Sequence, residues 1–341
     1  GFFVRHGSSL MRKTIDENGN WRAFRHRNYR ILYPANALSN IGSWAQRVAQ
    51  DWLVLQLTDN NGTALGFVTA VQFAPTLFLS MHGGLLADKV DKRKLLIATN
   101  AIAGLSSILL GVLVVTDVVQ LWHVMACATV LGIANAFDAP IRQAFTSEIV
   151  GHSDVANAVS LNSANFNAGR LVGPAVSGFL IARFDTGPSF LINGSSYLFV
   201  IASLLAMRPA DFFIQKKEKT RGTIREAFSY VKARPDLYVT MIVVFFVATF
   251  GLNFQIFNAL MATQIFGKGP AQYGLLGTYI AIGSLSGALL SARLERFRNT
   301  LFVMRLGMVF TLSIALLAFM PSYGWYSALL PICGITALPM M

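Results

Sequence analysis

Ten long, mostly apolar stretches separated by short links constrain this chain more than any other feature; they run from about 31–57, 63–87, 95–116, 119–144, 155–182, 188–207, 237–266, 272–292, 300–320 and 323–341. At about 1.5 Å of rise per residue, a helix of roughly 20 residues crosses a hydrocarbon core about 30 Å thick. The 341 residues are 54% hydrophobic and only 13% charged, too few charges to coat a soluble domain of this size. Lipid offers no hydrogen bonds, so a chain of this kind satisfies its backbone within helices. The expectation is an all-α polytopic membrane protein, and the short links make neighbouring helices antiparallel.

The net charge of +12 does not point to nucleic acid, which needs basic residues gathered on one solvated face. Here they sit between spans. The arm before span 1, the link between spans 2 and 3, the stretch from Arg208 to Arg234 and the link between spans 8 and 9 hold 7, 4, 8 and 3 lysines and arginines, whereas the opposite links hold only Arg183 and Lys268. That bias predicts a multi-pass protein of the cell (inner) membrane with a cytoplasmic N-terminus. The basic segment from Arg5 to Arg30 precedes a full-length span and carries no small-residue cleavage site, so it reads as an arm rather than a signal peptide. Its "WRAFRHRNYR" is expected along the headgroups, arginines toward phosphate.

Catalytic and metal-binding sets are not evident. His6, His26, His82, His123 and His152 are scattered, without an HExxH pair or a nucleophile elbow, and no phosphate-cradling GxxxxGK[ST] loop is present. Cys127 and Cys333 lie inside apolar stretches and read as packing residues. The chain is therefore expected not to be an enzyme and to hold no metal or cofactor.

An internal repeat sets the architecture. Placing "GGLLADKVDKRK" (83–94) on "GALLSARLERFR" (287–298) matches Gly83 with Gly287 and Leu85 with Leu289, then base with base at Lys89 and Arg293 and acid with acid at Asp91 and Glu295. One copy joins spans 2 and 3, the other spans 8 and 9, so the repeat unit is six helices in parallel orientation. The domains predicted are an arm at 1–30, a six-helix half at 31–207, a linker at 208–236 with an interfacial helix in "TIREAFSYVKA", and an incomplete half at 237–341.

The segment Gly84 to Lys94 resembles the hairpin signature of the major facilitator superfamily, a glycine, then leucine, alanine and aspartate, then a basic cluster. It departs from the usual form at Asp91 and Lys92, where glycine and arginine are commoner. The resemblance covers the chain from about Asn28 to its end. It implies the major facilitator fold, two parallel six-helix halves, of which about ten helices are visible; the chain is expected to end within the tenth. It also implies that Asp88, organised by Arg93, latches the halves together.

In span 5, "NFNAGRLVGPAVSG" spaces Gly169, Gly173, Pro174 and Gly178 near one helical turn, which lets a neighbouring helix approach and bends the helix at mid-membrane. This resembles the glycine and proline motif in the fifth helix of the superfamily's exporters and antiporters, with Ser177 where glycine is more usual. Arg170 lies roughly 22 Å along this helix by its rise, near the midplane. A charge there costs about 2.5–3.5 kcal/mol or more, so Arg170 either lines a central cavity, with Asn167 nearby, or cross-links helices. In span 1, Asn40, Ser43, Arg47 and Asp51 fall on one side at successive turns. Span 1 resembles the first helix of the enterobactin and macrolide exporter branch. Arg47 and Asp51 read as an outer gate or proton-responsive pair, or as a salt bridge at the outer interface. Asp138 and Arg142 flank Pro140 in span 4, and Asp138, like Asp51, is a candidate proton carrier. Span 7 presents Phe250, Asn253, Phe254 and Phe257 either to a bulky ligand or to lipid.

Together these features point to a secondary active exporter, proton-coupled and monomeric, whose partners are a small, partly apolar substrate such as a siderophore, macrolide or other drug, protons and the bilayer. A non-transporting sensor or assembly factor of the same fold is the alternative.

Overall fold

A computed structural model of the chain describes residues 19, 21–87, 90–213, 229–246, 249, 253–293 and 300–340. The six helices of the first half are α1 (Arg27–Leu57), α2 (Gly62–Ala87), α3 (Lys92–Val115), α4 (Leu121–Val150), α5 (Val155–Phe184) and α6 (Gly187–Leu205). They are followed by α7 (Pro235–Phe246), α8 (Phe254–Leu260), α9 (Pro270–Arg293), α10 (Thr300–Leu317) and α11 (Tyr323–Met340). Each predicted span is matched by helix to within a few residues, because lipid demands an unbroken apolar, hydrogen-bonded segment. Span 7 is the exception. It is divided into α7 and α8, and α8 runs on as a π-helical turn at Met261–Ile265.

By composition, five of the described helices are long and apolar enough to cross a membrane: α2, α3, α4, α6 and α9. The helices α1 and α5 are not among them, although they are 31 and 30 residues long. Several of their polar residues, Ser39, Gln46, Gln50, Asp51, Asn165 and Ser177 among them, are buried.

The chain divides into two compact units, one of residues 1–214 with 269–274, the other of residues 215–268 with 275–341. In the first, small residues set the spacing of the helices, as is usual where lipid gives no hydrophobic drive to association. A Cβ on Gly83 of α2 would lie 2.9 Å from the carbonyl oxygen of Ala136 on α4. One on Gly104 of α3 would lie 3.3 Å from the carbonyl oxygen of Gly194 on α6. The α5 glycines do the same against α1, where Gly169 faces the backbone of Asn40, and a Cβ on Gly173 would meet the Cβ of Trp44 at 2.5 Å. Gly178 instead faces Pro270 and Ala271, at the start of α9. The expected exporter-type glycines are thus close-contact positions on α5.

In the second unit α10 packs on α11, and α9 meets α11 through Gly283, Gly287 and Gly334. Gly287 abuts the backbone of Ile335 as its repeat partner Gly83 abuts α4. The sequence repeat is thus also a repeat of packing.

The arm makes specific contacts with the rest of the first unit. A 3₁₀ turn at Arg22–Arg25 meets the segment between α4 and α5, with the backbone N–H of Ala23 donating to Asn157 and the partly exposed Arg25 reaching Asp154. Arg25 and His26 both reach the fully buried carboxylate of Asp154, at 2.7 and 2.8 Å. Asn28 then exchanges two hydrogen bonds of 3.0 Å with the backbone of Arg208, tying the start of α1 to the segment after α6.

The second part of the hairpin has local structural duties. Asp91 caps α3 by accepting from the backbone N–H groups of Arg93 and Lys94, and Lys92 pairs with Glu148 at 2.8 Å. Arg93 donates to the carbonyls of Leu204 and Leu205 at 2.7 and 3.0 Å, closing the C-terminal end of α6. Asp88, and with it the predicted latch, lies outside the described residues, as do Phe250 and most of the expected interfacial helix.

Candidate functional site

Within the first unit, helices α1, α3, α4, α5 and α6 surround a cavity of about 250 Å³ on the side of the unit nearer the arm. Its floor is an ion pair. Asp138 and Arg142 are one helical turn apart on α4, which puts them on one face. The Nε of Arg142 donates to Oδ2 of Asp138 at 2.7 Å and its Nη2 to Oδ1 at 2.9 Å. That Oδ1 also accepts from the hydroxyl of Thr99 at 3.0 Å and the amide of Asn100 at 2.9 Å, both on α3. From α1, the oxygen of Asn36 accepts from Nη1 of Arg142 at 2.7 Å. The pair thus joins three helices, and each charge is met by the opposite charge and by neutral dipoles. Burial of such a pair is tolerable only with this degree of satisfaction.

Above this floor the wall is amide and hydroxyl. Asn36, Ser39, Asn40 and Ser43 recur along α1 with helical spacing, facing Asn162 and Asn165 of α5. Asn40 donates to Asn165 at 3.2 Å, and the oxygen of Asn162 accepts from the hydroxyl of Tyr29 at 3.0 Å. Asn135 of α4 projects into the space, and Ala103, Ala134, Phe166 and Tyr197 supply its apolar surface.

Beyond the cavity the polar stripe of α1 continues as side-chain pairs buried between helices. Gln46 accepts from Asn193 at 2.6 Å, and Gln50 donates to Gln72 at 2.9 Å. At the far end Asp51, buried to 4% exposure, accepts a 2.8 Å hydrogen bond from the hydroxyl of Tyr273 near the start of α9, a ring stacked on Trp52.

The predicted site residues separate into groups. Asn40 and Asp138 line the cavity together. Arg47 and Asp51 lie further along α1, where the Arg47 guanidinium sits 4.7 Å from the centre of the Trp44 ring. Arg170 is partly buried on α5 and Asn167 bonds back to the carbonyl of Ser163; neither is among the residues around this cavity. Asn253, Phe254 and Phe257 belong to the second unit, where Asn253 precedes α8 and bonds to the carbonyl of Thr249, and Phe254 meets Phe310 edge-on. Gly84 faces open space, and a side chain there would touch nothing within 4 Å.

Residues that carry the cavity but were not singled out are Asn36, Thr99, Asn100, Asn135 and Tyr197. Asn36 had a readable signal, since with Ser39, Asn40 and Ser43 it completes a polar stripe one helix face wide. The others are single polar residues in apolar helices, and only packing reveals which way they face.

Outside the spans, the Asp154 cluster has its own electrostatics. Burial by itself would raise the Asp154 carboxyl, but the hydrogen bonds and charges of His26 and Arg25 outweigh it and hold the group below the usual carboxylate range.

Comparison with known proteins bears on the family and the fold. The sequence model of the transmembrane secretion effector family, a major facilitator group, matches residues 18–338. A staphyloferrin A transporter of Staphylococcus aureus is 26% identical over 272 residues, covering 79% of this chain and 68% of the relative. The multidrug efflux pump Tap of Mycolicibacterium fortuitum is 26% identical over 325 residues, covering 91% of this chain and 78% of the relative. Among solved structures, a bacterial homologue of the human lysosomal transporter Spinster superposes with a TM-score of 0.72 at 16% identity, covering 92% of this chain and 72% of that one. The chain spans between 56% and 78% of the length of these and similar curated relatives.

Proposed function

Since the chain belongs to the transmembrane secretion effector family of the major facilitator superfamily, we propose that it is a secondary active exporter that moves a small molecule out of the cytoplasm by alternating access, in exchange for protons. The observation that carries this reading is the cavity. A polar, ion-paired space set among the helices of the first unit is costly unless it receives a solute, and α1, α3, α4 and α5 all contribute polar side chains to it. The direction of transport is supported by the relatives that are described as efflux proteins and by the glycine and proline spacing on α5.

In this reading the arm and the Asp154 cluster lie at the cytoplasmic face of the inner membrane, the cavity opens toward that face, and the protein acts as a monomer. Asp138 and Asp51 are the carboxylates available for proton coupling, Arg170 is held for a stage of the cycle in which α5 turns toward substrate, and Asp88 with Arg93 belongs to the cytoplasmic latch. The test is accumulation of a labelled solute in inverted membrane vesicles containing the chain. Energised vesicles are expected to accumulate solute, and an uncoupler to abolish accumulation; uptake that persists with the uncoupler contradicts proton exchange. Equal uptake by vesicles lacking the chain contradicts transport.

A further inference from the structure

Positive charge collects at the end of the first unit that carries the arm. Arg22 and Arg25 turn to Asp154, but Arg27 does not: its Nη1 donates at 3.3 Å to the carbonyl of Ala206, at the C-terminal end of α6. Arg93 reaches the same helix end from α3, on the carbonyls of Leu204 and Leu205. Both guanidiniums therefore sit within one turn of a single helix end, and Arg208, exposed just beyond it, is held there by the bonds of its backbone to Asn28. None of the three is ion-paired among the described residues. In segments 27–30, 91–94 and 204–211 the remaining charges are Arg30, Lys94, Asp91, Asp211 and Lys92, the last spent on Glu148. The helix terminus itself offers about half a negative charge. Five cations against two carboxylates and that half-charge leave this surface positive.

Along the seam between the same two helices, α1 and α6, a groove of about 270 Å³ opens on the surface of the first unit. Leu38, Ile192 and Phe199 line it and are 43%, 49% and 58% exposed. It holds no charged group, and the hydroxyl of Ser196 is bonded back to the carbonyl of Asn193. By helical rise, Phe199 and Ile192 lie about 10 and 21 Å from Ala206 along α6, and Leu38 about 16 Å from Arg27 along α1. A bilayer measures about 40–45 Å across its headgroups, so a phosphate stands about 20 Å from the midplane and its acyl chains fill that depth. We propose that the α1–α6 seam binds one anionic phospholipid, its phosphate held by Arg27 and Arg208 with Arg93 beside them, and one acyl chain laid in the groove. The fit is one of charge and of length. Guanidinium forks match phosphate oxygens, and an uncharged groove asks nothing of a hydrocarbon chain but contact. A zwitterionic lipid brings a further cation to a surface already positive, and free phosphate leaves the groove unused. The proposal stands apart from the exporter reading, since it concerns the outer surface of the unit and not its cavity.

The test uses the whole purified chain, freed of lipid in a neutral detergent, with phosphatidylglycerol and phosphatidylcholine of the same acyl chains titrated in and bound lipid counted by native mass spectrometry. Phosphatidylglycerol is expected to bind saturably and about tenfold or more tightly than phosphatidylcholine. Arg27→Gln and Arg208→Gln should each weaken it about fivefold, the worth of one cation at a headgroup, while Arg27→Lys and Arg208→Lys keep most of the affinity. Ser195→Trp, which fills the groove, should weaken long-chain phosphatidylglycerol and leave the dihexanoyl lipid unaffected, because its chains are too short to reach that depth. The Arg27 side chain makes only the 3.3 Å bond and that of Arg208 is exposed, so the melting temperature in lipid-free detergent, recorded for every variant, should hold. Equal affinity for the two lipids, glutamine variants that bind phosphatidylglycerol as the wild type does, or a Ser195→Trp protein that treats long and short chains alike overturns the proposal. Displacement of the lipid by inorganic phosphate overturns it too, in favour of a free-anion site. Binding is read without transport, so the vesicle assay of the exporter reading can fail or succeed independently.

Discussion

The close approaches on α5 make clear residue-level demands. A Cβ on Gly173 meets the Cβ of Trp44 at 2.5 Å and the carbonyl oxygen of Ile41 at 2.9 Å, so neither a rotamer change nor a small side-chain shift relieves it. Gly173→Ala is expected to push α1 and α5 apart and cost about 1–3 kcal/mol, read as a fall in melting temperature in detergent. Gly66 on α2 has nothing within 4 Å, and Gly66→Ala there should be neutral or stabilise by about 0.5–1 kcal/mol through reduced backbone freedom. If the two variants melt alike, the packing described for α5 is wrong. The Asp138–Arg142 pair makes a second demand. Arg142→Ala would leave the carboxylate with Thr99 and Asn100 alone, and because the two side chains are 18% and 27% exposed the loss should be about 1–3 kcal/mol, below the figure for a fully dry pair. Much of this was legible beforehand. The glycine spacing and Asp138 were visible because their residue types are uncommon in lipid, whereas Asn100 and Tyr197 were not, because their roles depend on which helix they face.

Helices and their ends carry the next set of consequences. The sequence disclosed the spans because the bilayer imposes one length and one composition, and it disclosed the paired hairpins because charge is rare elsewhere. It did not disclose the π-helical turn after α8, which changes hydrogen-bond partners without changing hydropathy. Nor did it show that the arm's arginines have a carboxylate to go to, since Asp154 lies more than a hundred residues away. Arg93→Ala removes both donors from the end of α6 and should lower stability by about 1–2 kcal/mol, whereas Lys94→Ala, whose side chain has no such task, serves as its control. The docking of the arm should also depend on pH in a defined sense. Asp154 titrates lower folded than unfolded, so its contribution is complete above its ordinary unfolded value near 4 and fades as pH falls through the lower folded value. The groups around it are Arg22, Arg25 and His26. The gap in melting temperature between wild type and Asp154→Asn is therefore expected to hold from pH 7 to about pH 5 and to shrink below about pH 4. A gap that changes between pH 7 and pH 5 would mean that the Asp154 carboxylate does not govern the docking of the arm.

For the whole molecule the repeat is the informative scale. Gly83 and Gly287 occupy corresponding positions in the two units and each presses on the backbone of its partner helix. Gly83→Leu and Gly287→Leu are accordingly expected to destabilise their own units to similar extents, about 1–3 kcal/mol or more, by hydrogen-exchange mapping of each unit. An effect confined to one unit would show that the duplicated hairpin no longer does duplicated work. The polarity of α1 bears on how such a chain is made. During synthesis α1 emerges well before α5, and both carry charges within their spans, Arg47 and Asp51 on α1 and Arg170 on α5, that lipid disfavours. The segment that will line the cavity is thus expected to wait beside the insertion machinery until its companion arrives, so the feature that gives the finished protein its polar cavity makes its biogenesis depend on helices not yet translated.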